Sequence, residues 1–377
     1  MKQFTVTGSN FDCGYQLGKK FRKEIRWRLR HTEITPVTIA RHWQQVHRMY
    51  HYCQQHYPSF LQEIAGMAEG AGADFLELFF LNCPELSQYH HGCSSIAVVD
   101  KKKALLAHNE DGDAFERQDK CALITYQLSH KLFQTTFHSF VYLGELPGSA
   151  YTWNASGLFF TVNYVPVKKL NFSGAPYYFI TRQLAEARSI AGAVKILKRS
   201  NNASGFHGYI GKGRRIVSVE QYGGKVRVRE IKGMDIHTNH FLHPEMSTYG
   251  EIRPSSATRL QRLEELLAST QHSQILVSPD DPGSFSSKVR KKVKLEMIKR
   301  LTTNQTNPPG KPGARENLTS LGTANVVTIL FDRENRPYPL YSKAGDKMRT
   351  LSTVVVEGKR VTVFPTNSRK NKLTLQK

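Results

Sequence analysis

The sequence predicts an α+β fold in which a helical first part packs on a sheet-rich second part. Three observations lead to this prediction. Residues 10–90 carry apolar side chains at helical spacing, short β-like runs begin directly after Gly92, and the later chain mixes both patterns. With 377 residues, 39% of them hydrophobic, the chain is long enough for one large domain or two ordinary ones.

The helical pattern is clearest in residues 14–29 and 43–53, where apolar side chains recur every three or four positions. Pro36 and Pro58 divide these segments from what precedes them, because proline is tolerated at the start of a helix but not in its interior. Residues 302–315 are rich in proline and glycine, so we expect a loop there.

The later part of the chain is predicted to alternate between helices and strands. Two helices are expected within residues 177–198, and another from about Ala257 to Thr270, capped by Ser255 or Ser256. Apolar and β-branched runs predict strands at residues 95–99, 105–108, 122–127, 158–164, 216–219, 226–231, 325–331, 351–356 and 361–364.

The charge balance is the strongest anomaly of the composition. Lysine and arginine number 53 against 31 acidic residues, a formal net charge of +22. Such an excess favours an acidic partner, such as a phosphate-bearing substrate, a nucleic acid or a membrane surface, or it is diffuse surface charge. No stripe of aromatic and basic residues typical of a recognition module accompanies it, so a nucleic acid is not the expected partner.

The cysteines and the termini bound the cellular setting. The five cysteines form no CxxC pair, and no HExxH motif, GxGxxG motif or P-loop occurs, so we expect no metal and no cofactor. No signal peptide and no apolar stretch of membrane-spanning length is evident. The sequence therefore predicts a cytoplasmic protein with free thiols and no membrane span.

A candidate nucleophile lies where the pattern changes. Cys93 follows Gly92 and leads into an apolar run, and Asn109 and Asp111 end the run that follows. The polar segment 100–103 between the two runs predicts a turn. If the runs pair as an antiparallel hairpin, both polar residues come close to Cys93.

This arrangement suits an amino-terminal nucleophile. A cysteine with a free α-amine carries its own general base, because the pKa of an α-amine lies just above neutrality. A carboxylate nearby would orient the amine, and asparagine NH2 groups could stabilise an oxyanion. On local chemistry alone, a buried cysteine that packs in the core remains the simpler interpretation of Cys93.

Five ordered stretches resemble the acyl-coenzyme A:6-aminopenicillanic acid acyltransferase family of N-terminal-nucleophile hydrolases, and a closing strand at 324–332 is similar to the family's last strand. The family is related to the choloylglycine hydrolases and penicillin V acylases, which hydrolyse linear amides. The stretches are Gly14-Tyr15-x-x-Gly18, Gly92-Cys93-Ser94-Ser95 with Asn109-Glu110-Asp111, Asn154 to Tyr164, His237-Thr238-Asn239-His240, and Arg259-Leu260-Gln261-Arg262.

The resemblance implies a four-layer αββα sandwich and autocatalytic cleavage between Gly92 and Cys93. Cleavage would divide the chain into a helical segment, 1–92, released or retained afterwards, and a catalytic segment, 93–377. Acyl transfer would pass through an acyl-Cys93 intermediate, with an acyl amide or an acyl-CoA-like thioester as the small-molecule substrate.

The resemblance also implies roles for individual residues. Asp111 would position the α-amine of Cys93, Asn163 and Asn239 would contact the acyl carbonyl and the oxyanion, and Arg259 would favour the thiolate and orient Asp111. His108 and Asn109 would contact the substrate.

The sequence departs from the family pattern beside the nucleophile. His108 stands where glutamine or arginine is usual, and Glu110 replaces a common tryptophan. Because of these departures, we do not expect penicillin biosynthesis itself to be the function.

Each candidate residue also has a structural alternative. Asp111 could cap the turn at Gly112, Asn163 could form a turn, and Asn239 could bond neighbouring backbone. Arg259 could lie on an exposed helix face and pair with Glu264 or Glu265.

Two classes of function follow. The first is a cysteine amidohydrolase or acyltransferase. The alternative is a non-catalytic basic scaffold or nucleic-acid-binding protein on the same fold, which would stay uncleaved and bind nucleic acid with a steep salt dependence.

Overall fold

A computed structural model describes residues 1–32, 34–86, 92–101, 103–112, 118–129, 134–275, 349–365 and 373–376. Within these ranges the strands form two sheets, and helices cover the outer face of each. The predicted loop at 302–315 and the predicted strand at 325–331 lie outside the described residues.

The first sheet has eight described strands and is antiparallel except for one parallel pair between its first two strands. In spatial order these strands are β1 (Lys2–Gly8), β4 (Cys121–Ser129), β5 (Gln134–Tyr142), β6 (Tyr151–Asn154), β7 (Leu158–Val165), β8 (Asn202–Lys212), β9 (Arg215–Gly223) and β10 (Lys225–Glu230).

The second sheet has six described strands, all antiparallel to their neighbours. In spatial order they are β11 (Gly233–His237), β2 (Gly92–Val99), β3 (Ala104–Gly112), β12 (Arg349–Glu357), β13 (Arg360–Pro365) and β14 (Leu373–Gln376).

Helices of the first part and two later helices cover the first sheet, and one long helix covers the second. They are α1 (Asn10–Lys20), α2 (Arg22–His31), α3 (Pro36–Arg41), α4 (Trp43–His56), α5 (Pro58–Ala71), α6 (Phe75–Leu81), α7 (Tyr177–Leu184), α8 (Ile190–Arg199), the short α9 (Pro244–Ser247) and α10 (Pro254–Ile275). Among the described residues no helix combines the length and apolar character needed to cross a bilayer.

Three apolar clusters define four layers. One joins helices α1–α8 to the first sheet, and a second lies between the two sheets, with Leu106 and Val354 facing Tyr151 and Trp153. The third packs α10, through residues such as Leu263, on the outer face of the second sheet. The αββα sandwich implied by the sequence is therefore confirmed.

Four glycines explain the Gly-Tyr-x-x-Gly motif of the first helix. Gly14 and Gly18 of α1 lie against Gly66 and Gly70 of α5, so the two helix backbones approach closely. A Cβ atom added to Gly14 would lie 1.9 Å from the carbonyl oxygen of Glu63. Only residues without a side chain permit this crossing.

The hairpin of β2 and β3 forms as predicted, with its turn between Val99 and Ala104. Lys103 donates its N–H to the Asp100 carboxylate (2.8 Å), which closes the turn. Counting outward from the turn, Gly92 pairs with Asp111 and Cys93 pairs with Glu110. The hairpin therefore brings the candidate nucleophile and the polar end of β3 together.

Two predictions about local structure need correction. The first part is not helical throughout, because residues 2–8 form β1, which pairs with β4 more than a hundred positions later. The helix expected from Ala257 begins at Pro254, so Ser255 and Ser256 lie within its first turn and do not cap it.

Candidate active site

Cys93 is the second residue of β2, and its side chain points into the space between the sheets. It is 2% exposed. Its backbone N–H donates to Oδ1 of Asn239 (2.8 Å), and its thiol donates to Oε2 of Glu110 (3.4 Å). Both the backbone nitrogen and the thiol of Cys93 are thus held by side chains from other strands and loops.

Arg259, the sixth residue of α10, reaches the same point from the outer face of the second sheet. One guanidinium nitrogen donates to the carbonyl oxygen of Cys93 and to Oγ of Ser94 (3.0 Å), and the other donates to Oδ1 of Asn239 (2.5 Å). Arg259 is 1% exposed, so the surface position considered from the sequence is wrong. Its charge instead lies beside Cys93.

Asn239 lies in the loop after β11, and hydrogen bonds hold both its backbone and its side chain. Its backbone N–H donates to Oγ of Ser256 (2.7 Å), and its side-chain NH2 donates to the carbonyl oxygen of Tyr164 (2.9 Å). His240 also bonds to Ser256 (2.8 Å). These contacts leave Oδ1 directed at Cys93 and occupy the NH2 group, so Asn239 is placed to hold an amine.

Asn163 lies inside β7 and contacts the site through Ser95. Oγ of Ser95 donates to Oδ1 of Asn163 (2.8 Å), while the NH2 group of Asn163 is buried without a hydrogen-bond partner among the described residues. Buried donors of this kind are rare in folded proteins. A developing oxyanion is the sort of group that such a donor could bind.

His108 and Glu110 share the face of β3 that looks toward Cys93. Oε2 of Glu110 lies 3.1 Å from Nε2 of His108, and Oε1 accepts from the hydroxyl of Tyr142 (2.6 Å). Nδ1 of His108 lies 2.8 Å from Oγ of Ser95. A continuous hydrogen-bonded chain thus joins Cys93, Glu110, His108 and Ser95.

Burial dominates the electrostatics of this chain. It raises the pKa of the Cys93 thiol well above its ordinary value, and the negative charges of Glu110 and Asp111 raise it further, whereas Arg259 lowers it. Burial likewise raises the pKa of Glu110 well above the usual carboxyl range, opposed by the hydrogen bond from Tyr142. The resting thiol is therefore protonated at neutral pH.

Asp111 and Asn109 occupy the opposite face of β3. Because side chains alternate along a strand, both point toward α10 and away from the thiol. Asp111 pairs across the sheet with Gly92 and accepts a hydrogen bond from the hydroxyl of Thr350. Asn109 accepts one from Thr353 (2.6 Å).

The backbone of Cys93 thus contacts the side chains of Asn239 and Arg259 on one side of β2. Its thiol contacts the hydrogen-bonded chain of Glu110 and His108 on the other side. Asn163 contacts this chain through Ser95. Sequence reasoning noted Glu110 only as a departure and did not identify the residues that orient the others, which are Ser95, Tyr142, Tyr164 and Ser256.

Cys93, His108 and Glu110 also offer ligand atoms within 4.8 Å of one another, and no other such group of three occurs among the described residues. Direct hydrogen bonds between these side chains account for their proximity. The remaining four cysteines, Cys13, Cys53, Cys83 and Cys121, are buried free thiols, as expected from the sequence.

Comparison with known proteins identifies the family of the chain. The family model for acyl-coenzyme A:6-aminopenicillanic acid acyl-transferase matches residues 98–296. That range covers just over half of the chain and includes Asp111, Asn163, Asn239 and Arg259.

Two curated proteins and one solved structure are similar. A β-alanyl-dopamine/carcinine hydrolase of Drosophila melanogaster is 25% identical over 51% of this chain, and the chain spans only about half (55%) of that relative. The 40 kDa form of acyl-coenzyme A:6-aminopenicillanic-acid-acyltransferase of Emericella nidulans is 23% identical over 71% of this chain and 78% of its own length.

The solved structure is penicillin V acylase from Agrobacterium tumefaciens, with 13% identity and a TM-score of 0.39 over 75% of this chain and 86% of that one. The family model matches more than half of the chain, and this match establishes the family. The chain belongs to the acyl-coenzyme A:6-aminopenicillanic acid acyl-transferase family.

Proposed function

We propose that the chain is a self-processing cysteine amidohydrolase or acyltransferase. It cleaves its own Gly92–Cys93 bond, and Cys93 then reacts with substrates as a free amino terminus. The observation that carries the proposal is the contact of the Cys93 nitrogen with Oδ1 of Asn239 at 2.8 Å. This contact holds the atom that becomes the α-amine in place before cleavage.

The proposed turnover uses that amine as its base. The amine accepts the thiol proton, Sγ attacks the substrate carbonyl carbon, and the C–N bond breaks as the leaving amine takes the proton. Water or an acceptor amine then attacks the thioester and releases Cys93. Asn163 supplies the oxyanion donor, since its buried NH2 group has no partner among the described residues.

Arg259 and Asp111 complete the proposed machinery. Arg259 fixes the carbonyl oxygen of Cys93 and polarises Oδ1 of Asn239, and its charge favours the thiolate. Asp111 lies opposite Gly92, where its carboxylate favours the ammonium form of the new terminus.

We propose that residues 1–92 stay bound after cleavage. β1 pairs with β4 over seven residues, and buried ion pairs join Arg28 to Glu145 (2.6 Å) and Glu63 to Arg182 (3.0 Å) across the cut. The two pieces should therefore separate on a denaturing gel and elute together in gel filtration.

The substrate class follows from the relatives and from the charge. The relatives carry names of amide hydrolases and of an acyl-CoA-dependent acyltransferase, so an acyl amide is the leading substrate. The net charge of +22 favours polyanionic acyl-CoA as a second donor, because it would steer that donor to the protein.

The test of catalysis is a panel of N-acyl amines, including β-alanyl amides, and acyl-CoAs, assayed for release of amine or thiol. The wild type should turn over at least one class and form an acyl adduct on the piece 93–377. Cys93→Ala should abolish both, while Cys53→Ala, which alters a buried cysteine of α4 in the outer helical layer, should retain them.

The alternative gives a different set of results. A scaffold on this fold would remain a single chain, would turn over no member of the panel, and would bind nucleic acid with a steep salt dependence. That outcome would overturn the proposal.

A further inference from the structure

We propose that Glu110, backed by His108, is the general base that takes the thiol proton of Cys93 during self-cleavage of the Gly92–Cys93 bond. The inference rests on the self-cleavage proposed above and adds a catalytic residue to it. Self-cleavage, which happens once per chain, then uses Glu110 as its base, whereas the later substrate turnovers use the α-amine of Cys93.

The first reaction needs a base that the α-amine cannot supply. Before cleavage, the nitrogen of Cys93 is a peptide N–H that donates to Asn239 (2.8 Å), and a peptide nitrogen is not basic. The thiol is buried and donates its hydrogen bond to a side chain. A side chain in contact with Sγ is therefore required.

Glu110 meets this requirement by position. It lies directly opposite Cys93 in the β2–β3 register, and its Oε2 accepts from the thiol at 3.4 Å. Its other oxygen is fixed by Tyr142 at 2.6 Å, so the carboxyl group cannot rotate away without losing that bond. Among the hydrogen bonds described for Sγ, this carboxyl is the acceptor.

His108 extends the acceptor into a relay. Ser95 donates its only hydroxyl proton to Asn163, so the Ser95 oxygen is left to accept from Nδ1–H of His108. Nε2 of the neutral ring then presents a lone pair to Oε2 of Glu110, and the two groups share one proton. The pair can accept a second proton, ending as carboxylic acid and imidazolium beside a thiolate, with no change of net charge.

The proposed self-cleavage is an acyl shift from nitrogen to sulfur followed by hydrolysis. Sγ loses its proton to Glu110 and attacks the carbonyl carbon of Gly92, forming the C–S bond. Glu110 returns the proton to the Cys93 nitrogen as the C–N bond breaks, leaving a thioester and a free amine. Water then adds to the thioester carbonyl and the C–S bond breaks. One proton of the water goes to Sγ and the other to the new α-amine, which leaves the Gly92 carboxylate and the free Cys93 thiol.

Burial supports this role, because it raises the pKa of the carboxyl and makes Glu110 a stronger base than an exposed glutamate. The cleavage rate should rise with pH as the Glu110–His108 pair passes from two protons to the one shared proton of its reactive form. Other ionisable groups that act on Glu110 from neighbouring elements are Cys93, Asp111, Tyr142, Glu145 and Tyr151.

The first experiment measures cleavage of newly synthesised full chain in cell-free translation, with EDTA present, by intact mass against time. Glu110→Gln keeps the shape of the side chain and should slow cleavage about 100-fold or more, because general-base catalysis usually contributes a rate enhancement of this size. Glu110→Asp should recover part of the rate. Thermal unfolding of each variant checks that it is folded.

The second experiment compares two buried tyrosines by their pH–rate profiles. Tyr142→Phe removes the hydrogen bond that lowers the Glu110 pKa, so the midpoint should move up by about one pH unit. Tyr126→Phe is the matched control, because this buried tyrosine lies between the helices and the first sheet, with Glu63 and Arg182 and not Glu110 as its charged neighbours, and its midpoint should stay with the wild type.

The outcomes separate the two proposals. If the folded wild type is never cleaved, both proposals fail. If the wild type is cleaved and folded Glu110→Gln is cleaved within a few-fold of its rate, or if both tyrosine variants share the wild-type profile, the assignment of Glu110 fails while self-cleavage stands.

Discussion

Glu85 is a buried carboxyl group on the amino-terminal side of the proposed cleavage site, and its replacement by glutamine gives a stability prediction that can be worked from the structure. It lies in a 3-10 helix, Pro84–Leu86, shortly before Gly92. Its Oε1 accepts from the backbone N–H of Tyr177 (2.9 Å) and from Oγ of Ser204 (2.8 Å). Oε2 is buried without a partner among the described residues.

Burial raises the pKa of Glu85 from 4.5 to about 7, against the hydrogen bonds that lower it. The folded protein therefore holds this proton at pH values where the unfolded chain has lost it. The stabilisation is complete below about pH 4.5 and is lost as the pH rises through about 7. At about 1.4 kcal/mol per pH unit, the loss amounts to about 3 kcal/mol.

The assay is urea unfolding at pH 5 and pH 8. Between pH 5 and pH 8, the titration of Glu85 should lower the free energy of unfolding of the wild type by about 2 to 3 kcal/mol. This contribution should be absent in Glu85→Gln, because glutamine stays neutral. Glu69→Gln, on the exposed face of α5, is the control and should behave as the wild type. Equal losses in Glu85→Gln and the wild type would refute the reasoning.

Three further predictions test packing and the site. Gly14→Ala would place a Cβ 1.9 Å from the Glu63 carbonyl oxygen and should destabilise the protein by about 3 kcal/mol in urea unfolding. Gly224→Ala, with open space around it, should change the free energy of unfolding by no more than about 0.5 kcal/mol. Similar effects of the two variants would contradict the close helix crossing. Asn163→Ala should lower kcat about 100-fold or more with little change in KM, and an unchanged kcat would exclude the oxyanion role. Glu63→Ala should cost about 3 to 5 kcal/mol of unfolding free energy because it removes the fully buried partner of Arg182 and leaves the partly exposed Glu186, and a loss under about 1 kcal/mol would contradict this.

The hairpin shows how far the sequence can lead. The apolar runs and the polar turn at residues 100–103 predict two paired strands, and the structure has them. The same turn also sets the register, so counting outward from it places Glu110 opposite Cys93. The alternation of side chains then separates Glu110 from Asp111, a step that the sequence analysis did not take.

Other elements escaped prediction for physical reasons. β1 depends on pairing with the distant β4, which no local pattern reports. β8 carries Gly205, Gly208 and Gly211, residues disfavoured in strands. The packing of the Phe159 ring where a Cβ of Gly211 would be shows that tertiary contacts override that local preference.

The site itself is assembled over long separations. Asn239 and Arg259 reach Cys93 from 146 and 166 positions away, so only the resemblance to a family could associate them before the fold was known. The family pattern could not supply their orientation. It is the contacts of Asn239 with Ser256 and Tyr164 that direct its oxygen, not its NH2 group, toward Cys93.

The most direct test of the central claim is the identity of the residue at the new amino terminus. Intact mass and amino-terminal sequencing of the purified wild type should give two pieces, 1–92 and 93–377, with the second beginning at Cys93, while Cys93→Ala remains a single chain. A folded wild-type protein that stays whole, or one that is cut elsewhere, would contradict the account.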